Sequence, residues 1–397
     1  MKSKENKKSD FIPLFDLDIS EREIESVTRV LRSKWLTMGE KTSRFENEFA
    51  RYIAAPFCSA VSNGTAALHL AMRALGIGPG DEVICPSLTF VATANAIRYT
   101  GAKPVFADIA GESNLNISPQ SIQARISERT RAILVVHYAG YPCEMEQIIE
   151  IAQNHNLKVV EDAAHAPGAA YVWRDGTGKK IRVEKTGAIG DIGCFSFFSN
   201  KNLAVGEGGM VVTRDEAIAD KIRKMRSHGM TSLTLDRHKG HSYSYDVVEL
   251  GYNYRIDEMR SAIGLAQLEN LDENNRKRND IDRLYRNLLS DVPELGIPFG
   301  DEKNVSSHHI FPVILPHNID RFEFMEKMRK RKGIQTSIHY PPVHQFEFYK
   351  KIISQDQAEL NQTNLVGARE VTLPLYPTLS ETDVKYIVSS VKQIFSE

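Results

Sequence analysis

The chain reads as an α/β protein, a large domain with a mainly parallel sheet between helices plus a smaller C-terminal α+β domain. Three observations predict this. Between roughly residues 50 and 230, short runs rich in Val, Ile and Phe alternate with helical stretches, the pattern of strands buried on both faces. Beyond residue 256 a long charged helical stretch replaces that alternation. The 397 residues also exceed one ordinary domain at ~150 residues each. The expected division is a disordered tail over 1–12, the large domain over 13–255, and a connector helix with the small domain over 256–397.

The elements follow in order. Ser20-Glu21-Arg22-Glu23 is a capping-box pattern, and Ile24, Val27 and Leu31 continue it at helical spacing to about Ser33. Ser62-Asn63-Gly64-Thr65 is a polar turn opening the buried-looking helix AALHLAMRAL. Strands are expected at VIC, PVFADI, RAILVVHY, LKVVEDAAHA, DIGCFSFF and GGMVVT. Residues 257–290 form the long helix; a strand at HHIFPVIL, a helix at FEFMEKMRKRK, a strand around IQTSIHY and a terminal helix ETDVKYIVSSVKQIF complete the chain.

Composition excludes several classes. Lysine plus arginine number 50 against 51 acidic residues, so no basic excess points to nucleic acid or to an anionic membrane. No run of about 18 apolar residues predicts a membrane span, and no apolar stretch follows the charged N-terminus to make a signal peptide. Cys58, Cys85, Cys143 and Cys194 stand far apart without CxxC pairs, so neither a metal site nor a disulfide framework is expected; free thiols fit a reducing compartment. Two glycine-rich stretches mislead. GIGPG, Gly76 to Gly80, lies after a helix and before a strand, the reverse of a dinucleotide loop. Gly176 to Lys180 lacks the spacing of a phosphate loop and reads as a hairpin tip.

Four segments carry chemistry together, although each alone has a plainer reading. Ser62 to Thr65 at a helix start supplies free N–H groups for an anion, or a plain N-cap. Glu161-Asp162-Ala163-Ala164-His165 puts a carboxylate at the C-terminal end of a strand, where open α/β sheets hold ligands, or a capping Asp with a surface His. Ser196 to Gly209 sets Lys201 between phenylalanines and a glycine cluster; partial desolvation would lower its pKa and make it a Schiff-base amine, unless it is an ordinary surface lysine. Gly251-Tyr252-Asn253-Tyr254-Arg255 precedes the long helix, where Arg255 could pair with a carboxylate or pyrophosphate or form a structural salt bridge. With Phe90 as an aromatic wall, an anion cradle, an acid for a ring nitrogen and an amine are the parts that pyridoxal phosphate requires.

From about Leu14 to the C-terminus the sequence resembles the DegT/DnrJ/EryC1/StrS family of sugar aminotransferases. The resemblance rests on SNGTAALHLA, PSLTFVATANAI, ILVVHYAG, VVEDAAHAPGA, GDIGCFSFFSNKNLAVGEGG, RSHGM, GYNYRIDEMRSAIGLAQL and HYPPVH, in that order. It implies the aspartate-aminotransferase-like fold, fold-type I, with pyridoxal 5′-phosphate as cofactor. Lys201 would carry the Schiff base and shuttle the proton, and Asp162 would hold the pyridine nitrogen. Gly64, Thr65 and Ser196 would bind the phosphate, Phe90 would stack on the ring, and His165 stands where many members have glutamine near the ring hydroxyl. Asn253 would reach the phosphate of a neighbouring subunit in a homodimer with shared sites. His344, Tyr340 and His339 would lie near the sugar.

The implied reaction moves an amino group from an amino acid, expected to be L-glutamate, to a keto-sugar, expected to be a nucleotide-linked 3- or 4-keto-deoxyhexose, in the cytoplasm. Two alternatives share the frame: a dehydratase or aromatic amino-acid synthase, and a non-catalytic regulatory protein. A branch of the family with histidine in place of the lysine performs dehydration, and Lys201 disfavours it here. The stretch Val172 to Thr186 exceeds the family's usual hairpin and is read as surface decoration.

Overall fold

The computed structural model describes residues 11–231, 244–300, 303–352 and 359–397. Residues 1–10 of the expected tail lie outside these, while Ile12 is bridged to Ile334 and its N–H donates to the Gly333 carbonyl at 2.7 Å.

The large sheet has seven strands: β1 (Phe57–Val61), β2 (Glu82–Pro86), β3 (Lys103–Ala107), β6 (Thr130–Val136), β7 (Lys158–Asp162), β10 (Ile192–Ser196) and β11 (Gly209–Thr213). Two short hairpins, β4 (Ile109–Gly111) with β5 (Asn114–Ile117) and β8 (Ala170–Arg174) with β9 (Lys180–Lys185), lie outside it. The sheet order is β1-β11-β10-β7-β6-β2-β3. From β10 to β3 every pairing is parallel; β11 runs antiparallel to both β10 and β1. The parallel strands are apolar without alternation because both faces are covered: Ala132, Ile133, Leu134 and Val135 are all fully buried. β11 reverses because no helix separates it from β10. The intervening loop, which carries Lys201, returns so that Ser196 pairs with Gly209. A Cβ at Gly209 would stand 2.6 Å from the Asn63 carbonyl, which is why a glycine opens β11.

The helix Gly64–Ala74 starts where the sequence places it, with Asn63 Oδ1 accepting from Ala66 N–H at 2.8 Å. The capping box at Ser20 opens Glu21–Ser33, and Asp257 caps the long helix Glu258–Leu288. The first half of that long helix packs on Glu21–Ser33 and Glu40–Ile53. Its last turns enter a second core, where Ile281, Tyr285 and Leu289 meet Phe311, Leu373 and the terminal helix Glu381–Phe395. This core holds the antiparallel pair β12 (Phe311–Ile314) and β13 (Glu370–Leu373). The strand expected around residues 334–340 does not form. Ile334 and Ser337 make isolated bridges only, the His339 N–H is taken by the Glu370 side chain at 2.8 Å, and Pro341 and Pro342 have no donor to continue a ladder. The stretch 172–186 is the β8–β9 hairpin. Its turn centres on Asp175 to Lys179, and Tyr171 is buried at its base while Ile181 is exposed. Among the described residues no helix is long and apolar enough to cross a membrane.

The helix Glu40–Ile53 was not singled out in the sequence, although Phe45, Phe49 and Ile53 bury one face at i, i+4, i+8 spacing. Its N-cap is Gly39, which has no side chain to cap with. Glu258 supplies the cap from another helix: its carboxylate accepts from the Gly39, Lys41 and Thr42 N–H groups at 2.8 Å each, and from Thr42 Oγ1 at 2.9 Å. Glu258→Ala leaves three helix-start donors unsatisfied in a buried seam. We expect a loss of about 3 kcal/mol, read as a lower urea midpoint, with Glu258→Gln recovering part of it.

Candidate active site

The carboxyl ends of β6, β7 and β10 and the start of the helix Gly64–Ala74 surround a cavity of about 640 Å³. This is where a doubly covered parallel sheet leaves room for a ligand, because strand ends there splay toward loops on either side. Asp162 is the last residue of β7 and Ser196 the last of β10, so both reach the cavity from the sheet itself. Lys201 comes from the β10–β11 loop, Phe90 from the turn after β2, and His339 and Tyr340 from the segment before Pro341.

The Asp162 carboxyl is buried. Thr93 Oγ1 donates to its Oδ2 at 2.9 Å and Ala164 N–H to its Oδ1 at 3.2 Å. Burial raises its pKa, and these hydrogen bonds with the nearby Lys201 and His137 oppose the rise. Its neighbour Glu161 points to the other face of the sheet. There it accepts from Gly187, Ile189 and Gly190 N–H groups at 2.7–2.8 Å and from His137 Nε2 at 2.9 Å, which fixes the end of β7.

Lys201 is half-buried, and the desolvation of its amine pushes it down to about 7, only partly countered by Asp162. Its Nζ lies 3.3 Å from His309 Nε2. His165 Nδ1 accepts from the Ala139 N–H at 3.3 Å, so Nε2 carries the proton and donates to Tyr340 Oη at 2.7 Å. Burial holds His165 well below the usual histidine range and lowers His339 to about 3, so both rings are neutral at pH 7. The Phe90 ring is 57% exposed, its centroid 5.8 Å from Tyr340.

The residues named from sequence therefore divide. Gly64, Thr65, Phe90, Asp162, His165, Ser196, Lys201, His339 and Tyr340 share the cavity wall. Asn253, Arg255 and His344 do not reach it. Asn253 is exposed and its backbone bridges Ser227. Arg255 bridges Val61, with its Nη1 buried and unpartnered and its pKa lowered by burial and by Arg226. Both ring nitrogens of His344 are occupied, by Ser87 Oγ at 2.7 Å and Asn364 Oδ1 at 3.0 Å. Of the segment 251–255, Tyr254 is the residue that lines the cavity. Thr93, Tyr254 and His309 were not picked out from sequence. Thr93 sits three residues after Phe90 in a run of small residues, and His309 is 108 residues from Lys201, so no local pattern joins them.

These groups fit pyridoxal phosphate on the structure's own terms. The N–H groups of Gly64 and Thr65 begin a helix and have no intrahelical partner. A Cβ at Gly64 would stand 2.8 Å from Ser196 Cβ, so the glycine brings that helix start and the Ser196 hydroxyl together as one anion cradle. The Asp162 carboxyl, raised by burial, lacks a full counter-charge, which a protonated ring nitrogen would provide.

A family model described as the DegT/DnrJ/EryC1/StrS aminotransferase family matches residues 17–392. The chain belongs to this family. As a DegT/DnrJ/EryC1/StrS protein it has the fold-type I architecture and is a pyridoxal-phosphate-dependent sugar aminotransferase. It is 39% identical over 392 residues to the spore coat polysaccharide biosynthesis protein SpsC of Bacillus subtilis, covering 98% of each chain. It is 37% identical over 393 residues to GDP-perosamine synthase of Escherichia coli O157:H7, covering 98% of this chain and 99% of that one. Among solved structures, PseC of Helicobacter pylori, an aminotransferase of pseudoaminic acid biosynthesis, superposes with a TM-score of 0.88 at 28% identity over 98% of this chain and 100% of that one. DesV of S. venezuelae, in complex with a ketimine intermediate, gives 0.86 at 33% identity over 98% and 99%.

The depressed pKa of the Lys201 amine predicts a pH dependence for its reaction with an aldehyde. Its pKa is depressed from the ordinary lysine value, so the neutral, nucleophilic form is present above about 7 and lost as pH falls through it. In cofactor-free protein, the rate of imine formation with pyridoxal phosphate, followed by visible absorbance, is expected to rise about tenfold per pH unit below 7 and to flatten above. A rise continuing past pH 9 means an ordinary, solvated lysine.

Proposed function

We propose that this chain transfers an amino group from L-glutamate to the ketone of a nucleotide-linked 3- or 4-keto-deoxyhexose, through a Schiff base at Lys201. The observation that carries this reading is a desolvated lysine amine, lowered to about 7, in one cavity with a buried carboxyl at a strand end and a helix start. The likeness to GDP-perosamine synthase and to PseC supports a nucleotide-linked or similarly activated sugar.

Pyridoxal phosphate, when bound, supplies an electron sink for the carbanion left when a proton departs from the carbon next to the amino nitrogen. The protein's own groups do the rest. Gly64 and Thr65 N–H groups and the Ser196 hydroxyl hold the phosphate. Asp162 keeps a proton on the ring nitrogen, and Thr93 holds the carboxylate in place. Phe90 offers an apolar face to the ring. Lys201 Nζ, neutral near pH 7, would take the proton from the amino acid's α-carbon and hold it for return on the cofactor side of the amino nitrogen. His165 stands near the ring hydroxyl, and His339 and Tyr340 line the sugar end.

Residues 13–255 would carry the cofactor, and 256–397 would close over the substrate with the His339–Tyr340 segment. Exposed Asn253, with Arg255 beside it, would serve the site of a second copy in a homodimer. The free thiols Cys58, Cys85, Cys143 and Cys194 suit the cytoplasm.

The test is a panel of nucleotide keto-sugars incubated with L-glutamate, with products read by mass spectrometry. An amino sugar together with 2-oxoglutarate supports the reading. Water loss without 2-oxoglutarate, or a borohydride-reduced pyridoxyl group on a peptide lacking Lys201, overturns it.

A further inference from the structure

Lys201 does not face the cavity alone. Its Nζ lies 3.3 Å from His309 Nε2, and His309 Nδ1 lies 2.9 Å from Asn202 Oδ1, the side chain next to Lys201 in the chain. The orientation of Asn202 is fixed from its other end. Its Nδ2 donates to the Ser307 carbonyl at 2.7 Å and to Asn275 Oδ1 at 2.8 Å, and a carbonyl oxygen accepts only. Oδ1 is therefore the end turned to His309, and it too only accepts, so the proton of the neutral imidazole sits on Nδ1. Nε2 is left with a lone pair toward Lys201.

That tautomer decides what the lysine amine can do. An Nε2 lone pair accepts one hydrogen of the amine and leaves the amine's own lone pair free for an electrophile. The opposite tautomer would donate into that lone pair and block it. The backbone under His309 is also held: Arg278, buried on the long helix, donates to the His309 carbonyl at 3.3 Å and to the Leu375 carbonyl at 2.9 Å. The ring itself packs against His165, centroids 4.4 Å apart.

We propose that His309 is a positioning residue for the Lys201 amine: Asn202 locks its imidazole with the proton on Nδ1, and Nε2 takes a hydrogen of Nζ so that the nucleophilic lone pair is presented to the cavity. The charged or titratable groups facing this pair from the other elements are Asp162 on β7, His165 after it, Arg278 on the long helix, and His339 from the segment before Pro341. His309 is held well below the usual histidine range by burial and then by Lys201, which keeps it neutral and able to accept. The proposal rests on Lys201 being the Schiff-base amine, and borohydride trapping on wild-type protein tests that reading separately.

The experiment uses full-length protein freed of cofactor, with pyridoxal phosphate as the probe and imine absorbance as the readout between pH 6 and 9. His309→Phe, which keeps a ring but loses both nitrogens, is expected to slow the plateau rate about tenfold, the scale of one lost hydrogen bond. His309→Gln, whose Oε1 can accept from Nζ while Nε2 donates to Asn202, is expected to stay within about threefold of wild type. His309→Phe reacting at the wild-type rate, or His309→Gln losing as much as His309→Phe, overturns the proposal. If His309→Phe does not fold, nitrogen NMR of histidine-labelled wild type decides. An unprotonated Nε2 and a protonated Nδ1 at His309 support the assignment, and a protonated Nε2 sinks it.

Discussion

Lys201→Ala is expected to lower kcat/KM for amino transfer by about 10⁴-fold, the upper range for one acid–base group, and to abolish the borohydride-trapped pyridoxyl label. The size follows from two duties falling on one atom. In the proposed reaction Nζ would hold the cofactor before the amino acid arrives and afterwards move the α-proton; among the described residues no other side chain of the cavity wall is both long enough and neutral enough to replace it. Asp162 is held by Thr93 and Ala164, His165 by Ala139 and Tyr340, and His339 Nδ1 pairs with Thr372 Oγ1 at 2.9 Å. Lys201→Arg should be equally inactive, because a guanidinium keeps its charge at any working pH and cannot attack a carbonyl. Both variants should still bind cofactor noncovalently through the phosphate cradle, visible as absorbance that dialysis removes. A variant retaining a tenth of wild-type activity would show that the proton travels through another group.

The parts of this site that the sequence shows are those where one segment carries both the fold and the chemistry. Ser62 to Thr65 is a helix start and is suited to an anion for the same reason, unpaired N–H groups, so a capping pattern points to both. Asp162 ends a run of buried β residues, so its place at a strand terminus is readable from where the apolar pattern stops. Lys201 is marked by phenylalanines before it and glycines after it. What stays hidden is set by contacts between distant segments. His309, inside the stretch HHIFPVIL whose only visible feature is a strand pattern, meets Lys201 through the packing of the second core on the long helix. His344 shows the converse. In a motif beside His339 and Tyr340 it looks like a substrate ligand, but the short helical turn Val343–Gln345 carries it back onto Ser87 and Asn364. The missing strand near residue 337 has the same origin. A buried carboxyl, Glu370, raised by burial to about 8 and so neutral at pH 7, takes the His339 N–H that a ladder would have used.

Asp162→Asn carries the second large effect, a loss of about 10³-fold in kcat with the fold retained. The amide keeps an oxygen for the Ala164 N–H, and the Thr93 hydroxyl can turn to accept where it now donates, because its other partner, Thr89 Oγ1 at 2.9 Å, works in either sense. The loss is therefore electrostatic. Without a carboxylate at the end of β7, nothing in the cavity favours a proton on the cofactor's ring nitrogen: the neighbouring histidines are neutral, and Lys201 is itself a competing base. A neutral ring is a poor acceptor for the electrons that the departing α-proton leaves behind. A cofactor analogue methylated on that nitrogen is cationic without help and should recover part of the activity in Asp162→Asn while giving none of that benefit to wild type. If the analogue fails and melting temperatures of variant and wild type also diverge, the carboxylate is holding the strand end rather than a proton.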